Sequence, residues 1–143
     1  MVRVFVYGTL KRGERNHHLL AAASCQGAAV TRQAGFTLRE YASTSSPGRI
    51  TPSVQAGGAH RIAGEVYDLD AELLARLDRL ERLGLDYERQ TVPLASGDPA
   101  QIYLRASASQ RPALPALTLV HITGDVIDWS EARFGPRLGV ARP

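Results

Sequence analysis

A glutamate standing where helical spacing asks for an apolar residue is the first feature of this 143-residue chain with chemical potential. Stepping about 100° per residue over 71–83 places Leu73, Leu74, Leu77 and Leu80 within roughly 60° of one direction, and Glu81 falls inside that arc at about 40° from Leu77. Glu72, Ala75, Arg79 and Arg82 point the other way. A carboxylate on an apolar stripe is costly to bury, so it acquires a raised pKa, a partner, or a cleft that opens at that point. All three suit general acid/base work. Periodicity alone leaves a second reading open, in which Glu81 occupies the last turn and reaches solvent or pairs with Arg82 or Arg89. Asp78 flanks the stripe as a boundary residue and a spare acid.

The second candidate is the loop Tyr7-Gly8-Thr9-Leu10 at the end of an apolar strand. Glycine lets backbone turn sharply or approach a ligand closely, and successive N–H groups in such a turn can hold an anion. A plain strand-to-helix turn is the competing reading. No metal is expected: His17 and His18 are adjacent and project in different directions, and no Cys, Asp or Glu stands at ligand spacing beside the histidines. Cys25 has no basic or helix-start setting and reads as a small buried residue, not a nucleophile. Glu65 reads as a polar strand-face residue, with a second cavity carboxylate as the alternative. Trp129 is assigned to packing.

The elements that must position these residues follow from patterning. Val2 to Tyr7 reads as a buried strand that stops at Gly8, and Asn16 caps a short helical stretch through His18, Leu19 and Leu20. Ala28 to Tyr41 reads as one long or two short strands. Ala42 to Gly58 reads as an irregular connection with a short strand near Ile50 to Val54. Arg61 to Leu69 alternates as a strand, and Asp70 caps a helix over Ala71 to Leu83 closed by Gly84. Tyr87 to Leu94 and Ala100 to Arg105 form a hairpin around Ser96-Gly97-Asp98-Pro99. Leu117 to Ile122 is a possible strand and Asp128 to Arg133 a turn or two of helix. Many short strands with two or three helices and no regular βαβ alternation predict an α+β domain with a mixed, barrel-like sheet. Residues 1–134 read as a single domain and 135–143 as a loosely ordered tail.

Val6-Tyr7-Gly8-Thr9-Leu10-Lys11-Arg12-Gly13 with Asn16-His17-His18-Leu19-Leu20, then Gly64-Glu65-Val66-Tyr67, Leu77-Asp78-Arg79-Leu80-Glu81 and Tyr87-Glu88-Arg89 together resemble the γ-glutamylcyclotransferase-like superfamily. Within it the chain is most similar to the γ-glutamylamine cyclotransferases and their plant and bacterial relatives. The resemblance runs from residue 2 to about residue 105 and weakens afterwards. It implies a small mixed β-barrel with flanking helices, Glu81 as the catalytic residue and Tyr7, Gly8, Thr9 and Leu10 as the substrate-binding loop. Tyr87 matches a cavity-wall position, although a core tyrosine on a strand fits it as well. The implied reaction is cofactor-free: the α-amino group of a γ-glutamyl amide attacks its own γ-carbonyl, closing 5-oxoproline and expelling the amine. The alternative is a catalytically silent member of the fold that binds a small γ-glutamyl-like or acidic ligand. Retention of Glu81 and of the intact loop favours turnover.

Composition bounds the rest. A net charge of +3 is carried by scattered arginines with no basic run beside interleaved aromatics, which argues against nucleic acid as a partner. The absence of a long apolar segment argues against a membrane partner, and one cysteine excludes an internal disulfide. The expectation is a cytoplasmic protein, monomeric by default, whose partner is a small-molecule γ-glutamyl amide.

Overall fold

A computed structural model describes residues 1–107 and 109–135. Its centre is a mixed sheet built on β1 (Val2–Val6) and the nine-residue β5 (Arg61–Leu69), paired antiparallel from Val2 opposite Leu69 to Val6 opposite Glu65. β7 (Pro99–Arg105) lies parallel to β1 on its other side, and β6 (Tyr87–Pro93) pairs antiparallel with β7 through the expected hairpin. β2 (Ser24–Val30) covers the opposite edge of β5. Past the point where β1 ends, β9 (Val126–Trp129) continues along β5 in parallel and carries β8 (Val120–Thr123) beyond it. β3 (Phe36–Ala42) and β4 (Ile50–Ala56) form a separate hairpin.

Period-two alternation divides the apolar residues between the two faces of the sheet. Phe5, Ile62, Val66, Ile102 and Leu104 point toward the β3–β4 hairpin and pack with Leu38, Val54 and Trp129. Val4, Val6, Tyr67, Leu69 and Tyr103 point the other way, onto Leu20 and onto Leu77 of α1 (Ala71–Leu80). Gly64 of β5 is required by close approach: a β-carbon there would lie 2.3 Å from the Val6 carbonyl oxygen and 2.7 Å from the Phe5 ring.

Several expectations need correction. The sheet runs open from β6 to β8, and among the described residues only a bridge between Thr31 and Leu94 links the end of β2 back to the residue after β6, so the sheet does not close into the implied barrel. Of the two readings over 28–41, one long or two short strands, the second holds: β2 starts earlier, at Ser24, and ends at Val30, and β3 begins at Phe36. The short strand near Ile50 belongs to a full seven-residue partner of β3. Leu117 to Ile122 shortens to β8, β9 was not foreseen, and α2 spans Glu131–Phe134. The 16–20 stretch is a 3-10 turn over His17–Leu20, and Asn16 makes no side-chain cap there. Cys25 is exposed on β2 instead of buried. The tail read over 135–143 lies outside the described residues from 136 onward.

The main helix begins as read, with the Asp70 carboxylate accepting the Leu73 N–H at 2.8 Å. It ends three residues earlier than Gly84 suggested. The N–H of Arg82 reaches the Arg79 carbonyl at 3.1 Å and that of Leu83 the Asp78 carbonyl at 2.9 Å, which is a Schellman closure with Arg82 in the left-handed position at φ 52°. Of the leucine stripe only Leu77 is buried; Leu73 and Leu74 are half-buried and Leu80 is 39 % exposed, so a single leucine of the helix enters the core.

Candidate active site

The end of β1 and the end of α1 meet at one cleft. Its walls are Phe5 to Leu10, Thr51 and Pro52 of β4, Glu81, Tyr87 at the start of β6 and Tyr103 of β7, around about 350 Å³ of empty space open to solvent. All six residues singled out from the sequence, Tyr7, Gly8, Thr9, Leu10, Glu81 and Tyr87, line it.

Glu81 follows the last helical residue and closes the helix with φ −80°. The residue is half-buried and lines the cleft, with enough protein packed around it for burial to dominate the ionisation of its carboxyl group. Its expected alternative partners are engaged elsewhere: Arg89 grips Asp78 at 2.8 and 3.2 Å, and Arg82 faces Asp86 at 3.6 Å. Among the described residues the Glu81 carboxyl has no hydrogen-bond partner. Burial, with a smaller contribution from the nearby Asp86 charge, raises its pKa from 4.5 to about 7. A carboxyl poised there can both take and return a proton near neutral pH.

Gly8 earns its place by contact, not by a left-handed φ. A β-carbon there would stand 2.6 Å from Cγ of Pro52, so the loop lies directly against β4. None of the N–H groups of Gly8, Thr9 or Leu10 donates to an acceptor within the described residues. The carbonyls around them are used: Lys11 N–H meets the Gly8 oxygen at 3.1 Å, Asn16 N–H the Thr9 oxygen at 2.9 Å, and His17 Nδ1 lies 3.0 Å from the Leu10 oxygen. Asn16 Nδ2 donates to the Thr9 hydroxyl at 3.0 Å. The loop therefore presents donors while its acceptors are tied back, which suits an anion.

The aromatic walls are structural as well as lining. Tyr7 donates to the Tyr103 carbonyl at 2.7 Å and accepts from Val54 N–H at 3.2 Å, so its hydroxyl is fully engaged. Tyr87 bonds Ser53 at 2.5 Å and the Pro52 carbonyl at 3.2 Å, and Tyr103 donates to Asp78 at 2.6 Å. Burial pushes all three hydroxyls up, which keeps them protonated. Leu10 lines the cleft and is also a member of the core cluster that includes Leu77 of α1.

Residues that sequence reasoning passed over hold the loop in place. Lys11 donates to Asp128 at 3.0 Å and to the Trp129 carbonyl. The Glu14 carboxylate accepts from the Ser130 hydroxyl at 2.7 Å and from the N–H groups of Glu131 and Ala132 at 3.0 and 3.1 Å, seating itself on the start of α2. Arg15 reaches Glu131 at 3.1 Å and the Ile50 carbonyl at 2.9 Å. Glu40, wholly buried, accepts from the N–H groups of Thr118 and Leu119, the Thr118 hydroxyl and the indole of Trp129, so it is a satisfied structural carboxylate. No short-range signal marks these residues, whose partners lie 35 to 118 positions away. Glu65 is also structural: one carboxyl oxygen accepts the Arg12 N–H at 2.8 Å and the Tyr67 hydroxyl at 2.9 Å, outside the cleft. Trp129 packs in the core as expected. Among the described residues no His, Cys, Asp and Glu cluster could hold a metal ion, and no helix is long and apolar enough to cross a membrane.

Residues 4–122 match the family described as gamma-glutamyl cyclotransferase, AIG2-like. The gamma-glutamylaminecyclotransferase of Rattus norvegicus is 30 % identical over 123 residues, which cover 78 % of this chain and 82 % of the relative. The Homo sapiens protein of the same name is 30 % identical over 138 residues, covering 95 % and 82 %. The crystal structure of an AIG2-like protein from Mus musculus superposes with a TM-score of 0.60 at 25 % identity, covering 82 % of this chain and 88 % of that one.

Proposed function

The chain belongs to the gamma-glutamyl cyclotransferase, AIG2-like family, and from that premise we propose that it converts a γ-glutamyl amide to 5-oxoproline and a free amine, with Glu81 as the acid/base residue. The observation that carries this reading is the Glu81 carboxyl, without a hydrogen-bond partner among the described residues and with a pKa of about 7, lining the same cleft as the donor-presenting Gly8 to Leu10 loop.

The chemistry is intramolecular. The ionised Glu81 takes a proton from the substrate α-ammonium, and the freed nitrogen attacks the γ-carbonyl carbon to give a tetrahedral oxyanion. Glu81 returns the proton to the leaving nitrogen, the carbon–nitrogen bond breaks, and the amine departs as the oxyanion collapses to the lactam carbonyl; the ionised Glu81 then takes the second proton from the ring nitrogen and passes it to the departing amine, so the products are neutral lactam and ammonium. The N–H groups of Gly8, Thr9 and Leu10, which have no acceptor among the described residues, would hold a substrate carboxylate or the developing oxyanion. Nucleophile and electrophile share one molecule, so holding the bent conformer supplies much of the rate; effective molarities of well-oriented intramolecular reactions reach about 10⁵ to 10⁸ M. The narrow cleft and its engaged tyrosines suit that task. The site uses only side chains and main chain of this protein. Its expected setting is the cytoplasm, with the chain acting as a monomer.

A direct test measures 5-oxoproline and free amine from a panel of γ-glutamyl amides. Glu81→Gln should lower turnover by about 10² to 10⁴. Unchanged turnover in that variant would refute the role of Glu81. Binding of γ-glutamyl amides without product would favour the silent-binder alternative.

A further inference from the structure

Outward from Glu81 the cleft opens into a second recess of about 480 Å³ empty space. It shares Thr9, Thr51, Glu81 and Tyr87 with the inner cleft and adds Arg15, Arg82, Arg111 and the hydroxyl-bearing stretch Ser43 to Ser45. Since the inner cleft is narrow, this recess is where the amine half of a γ-glutamyl amide would lie.

Charge in the recess is unevenly spent. Arg15 is paired with Glu131 at 3.1 Å and Arg82 with Asp86 at 3.6 Å. Arg111 has no carboxylate partner among the described residues. It donates to the Ala42 carbonyl, and its guanidinium carbon lies 5.7 Å from the Tyr41 ring centre. Arg105, 4.0 Å over the same ring, donates to the Arg111 carbonyl and holds that segment against β3. The positive field of Arg111 and Arg105 reaches the Tyr87 hydroxyl, where it offsets part of the upward push of burial. On the other side Glu81 becomes neutral when it takes the substrate proton, and Asp86 is committed to Arg82.

We propose that Arg111 selects the leaving amine by pairing with a carboxylate carried on it, so that the substrates are γ-glutamyl amides of amino acids or other amino-carboxylates and not of alkylamines or polyamines. The proposal rests on the cyclotransferase reading above. A polyamine tail would set a second cation beside a guanidinium that has no counter-charge among the described residues, whereas a carboxylate would supply one. Guanidinium is suited to this because its planar fork takes both carboxylate oxygens.

The test compares γ-glutamyl amides of aminohexanoate, hexylamine and diaminohexane, equal in length and different in terminal charge. The wild-type kcat/KM should favour the aminohexanoate amide over the hexylamine amide by about 10- to 100-fold, the range of a charge-assisted hydrogen bond, with the diaminohexane amide poorest. Arg111→Lys should keep this order, Arg111→Gln should bring the first ratio close to one, and Arg111→Glu should reverse it. Raising salt should increase the wild-type KM for the aminohexanoate amide more than for the hexylamine amide, a readout that needs no variant to fold. No charge preference in the wild type, the same salt response for both amides, or a preference that survives in a folded Arg111→Gln protein would overturn the proposal while leaving the cyclotransferase reading intact. Failure of all three amides, and of every other γ-glutamyl amide, to be turned over would overturn that reading and this proposal with it.

Discussion

Replacing Glu81 by glutamine should make the protein more stable above neutral pH and leave it no more stable in acid. The folded protein holds the Glu81 proton to a pKa of about 7, against 4.5 for the ordinary side chain. Between those two values the folded state binds a proton that the unfolded state has released, so stability falls as pH rises through that window and the full cost is present above it. The difference, 7 − 4.5 = 2.5, corresponds to at most about 3 kcal/mol at ~1.36 kcal/mol per pH unit. Glutamine has nearly the same shape and no charge to desolvate, so it removes this cost. Urea or thermal melts of both proteins should therefore differ by up to ~3 kcal/mol, or about 10 °C in Tm, at roughly pH 8, and converge near pH 4. A variant offset by the same amount at every pH, or less stable than wild type at high pH, would show the carboxyl to be solvated and remove the physical basis for its raised pKa. A variant both more stable and inactive would mark Glu81 as a residue kept at the expense of the scaffold.

The same ionisation should shape activity. Turnover of a γ-glutamyl amide should rise with pH through an apparent pKa near 7, since only ionised Glu81 can take the α-ammonium proton, and a flat profile would refute that assignment. Arg82→Gly should raise stability by about 1 kcal/mol in denaturant melts by relieving a non-glycine residue at φ 52°. Gly8→Ala should lower stability by about 1 to 3 kcal/mol and depress turnover, because the new methyl would meet the Pro52 ring and push the loop off β4. A fully active and equally stable Gly8→Ala protein would show that the loop need not lie where it does.

Local signals were enough for most of the frame. Alternation gave β1, β5 and the β6–β7 hairpin, and Asp70 gave the start of α1. The end of α1 was misread because glycine is the usual left-handed residue at a helix end, and here Arg82 takes that position two residues before Gly84. Glu81 was legible because its departure from the stripe is visible in the spacing. Leu80 was read as buried on the same spacing and is exposed, since periodicity gives the direction of a side chain and not what faces it. Glu14, Glu40 and Arg111 were silent for a different reason. Each acquires its role from partners or neighbours far along the chain, and a carboxylate that caps α2 looks in sequence like one that faces water.

The clamps on the candidate substrate loop also order events in time. Lys11, Glu14 and Arg15 are held by Asp128, Ser130 and Glu131, 116 to 118 positions downstream. During synthesis β1 and its loop emerge first, yet the groups that fix the loop are made more than a hundred residues later. A ribosome-bound chain lacking residues 128–132 would carry Glu81, every loop residue and the contacts of Tyr7 and Gly8 with β4, but not the clamps on Lys11 and Glu14. Such a nascent chain should turn over substrate poorly, and competence should rise as β9 and α2 leave the exit tunnel.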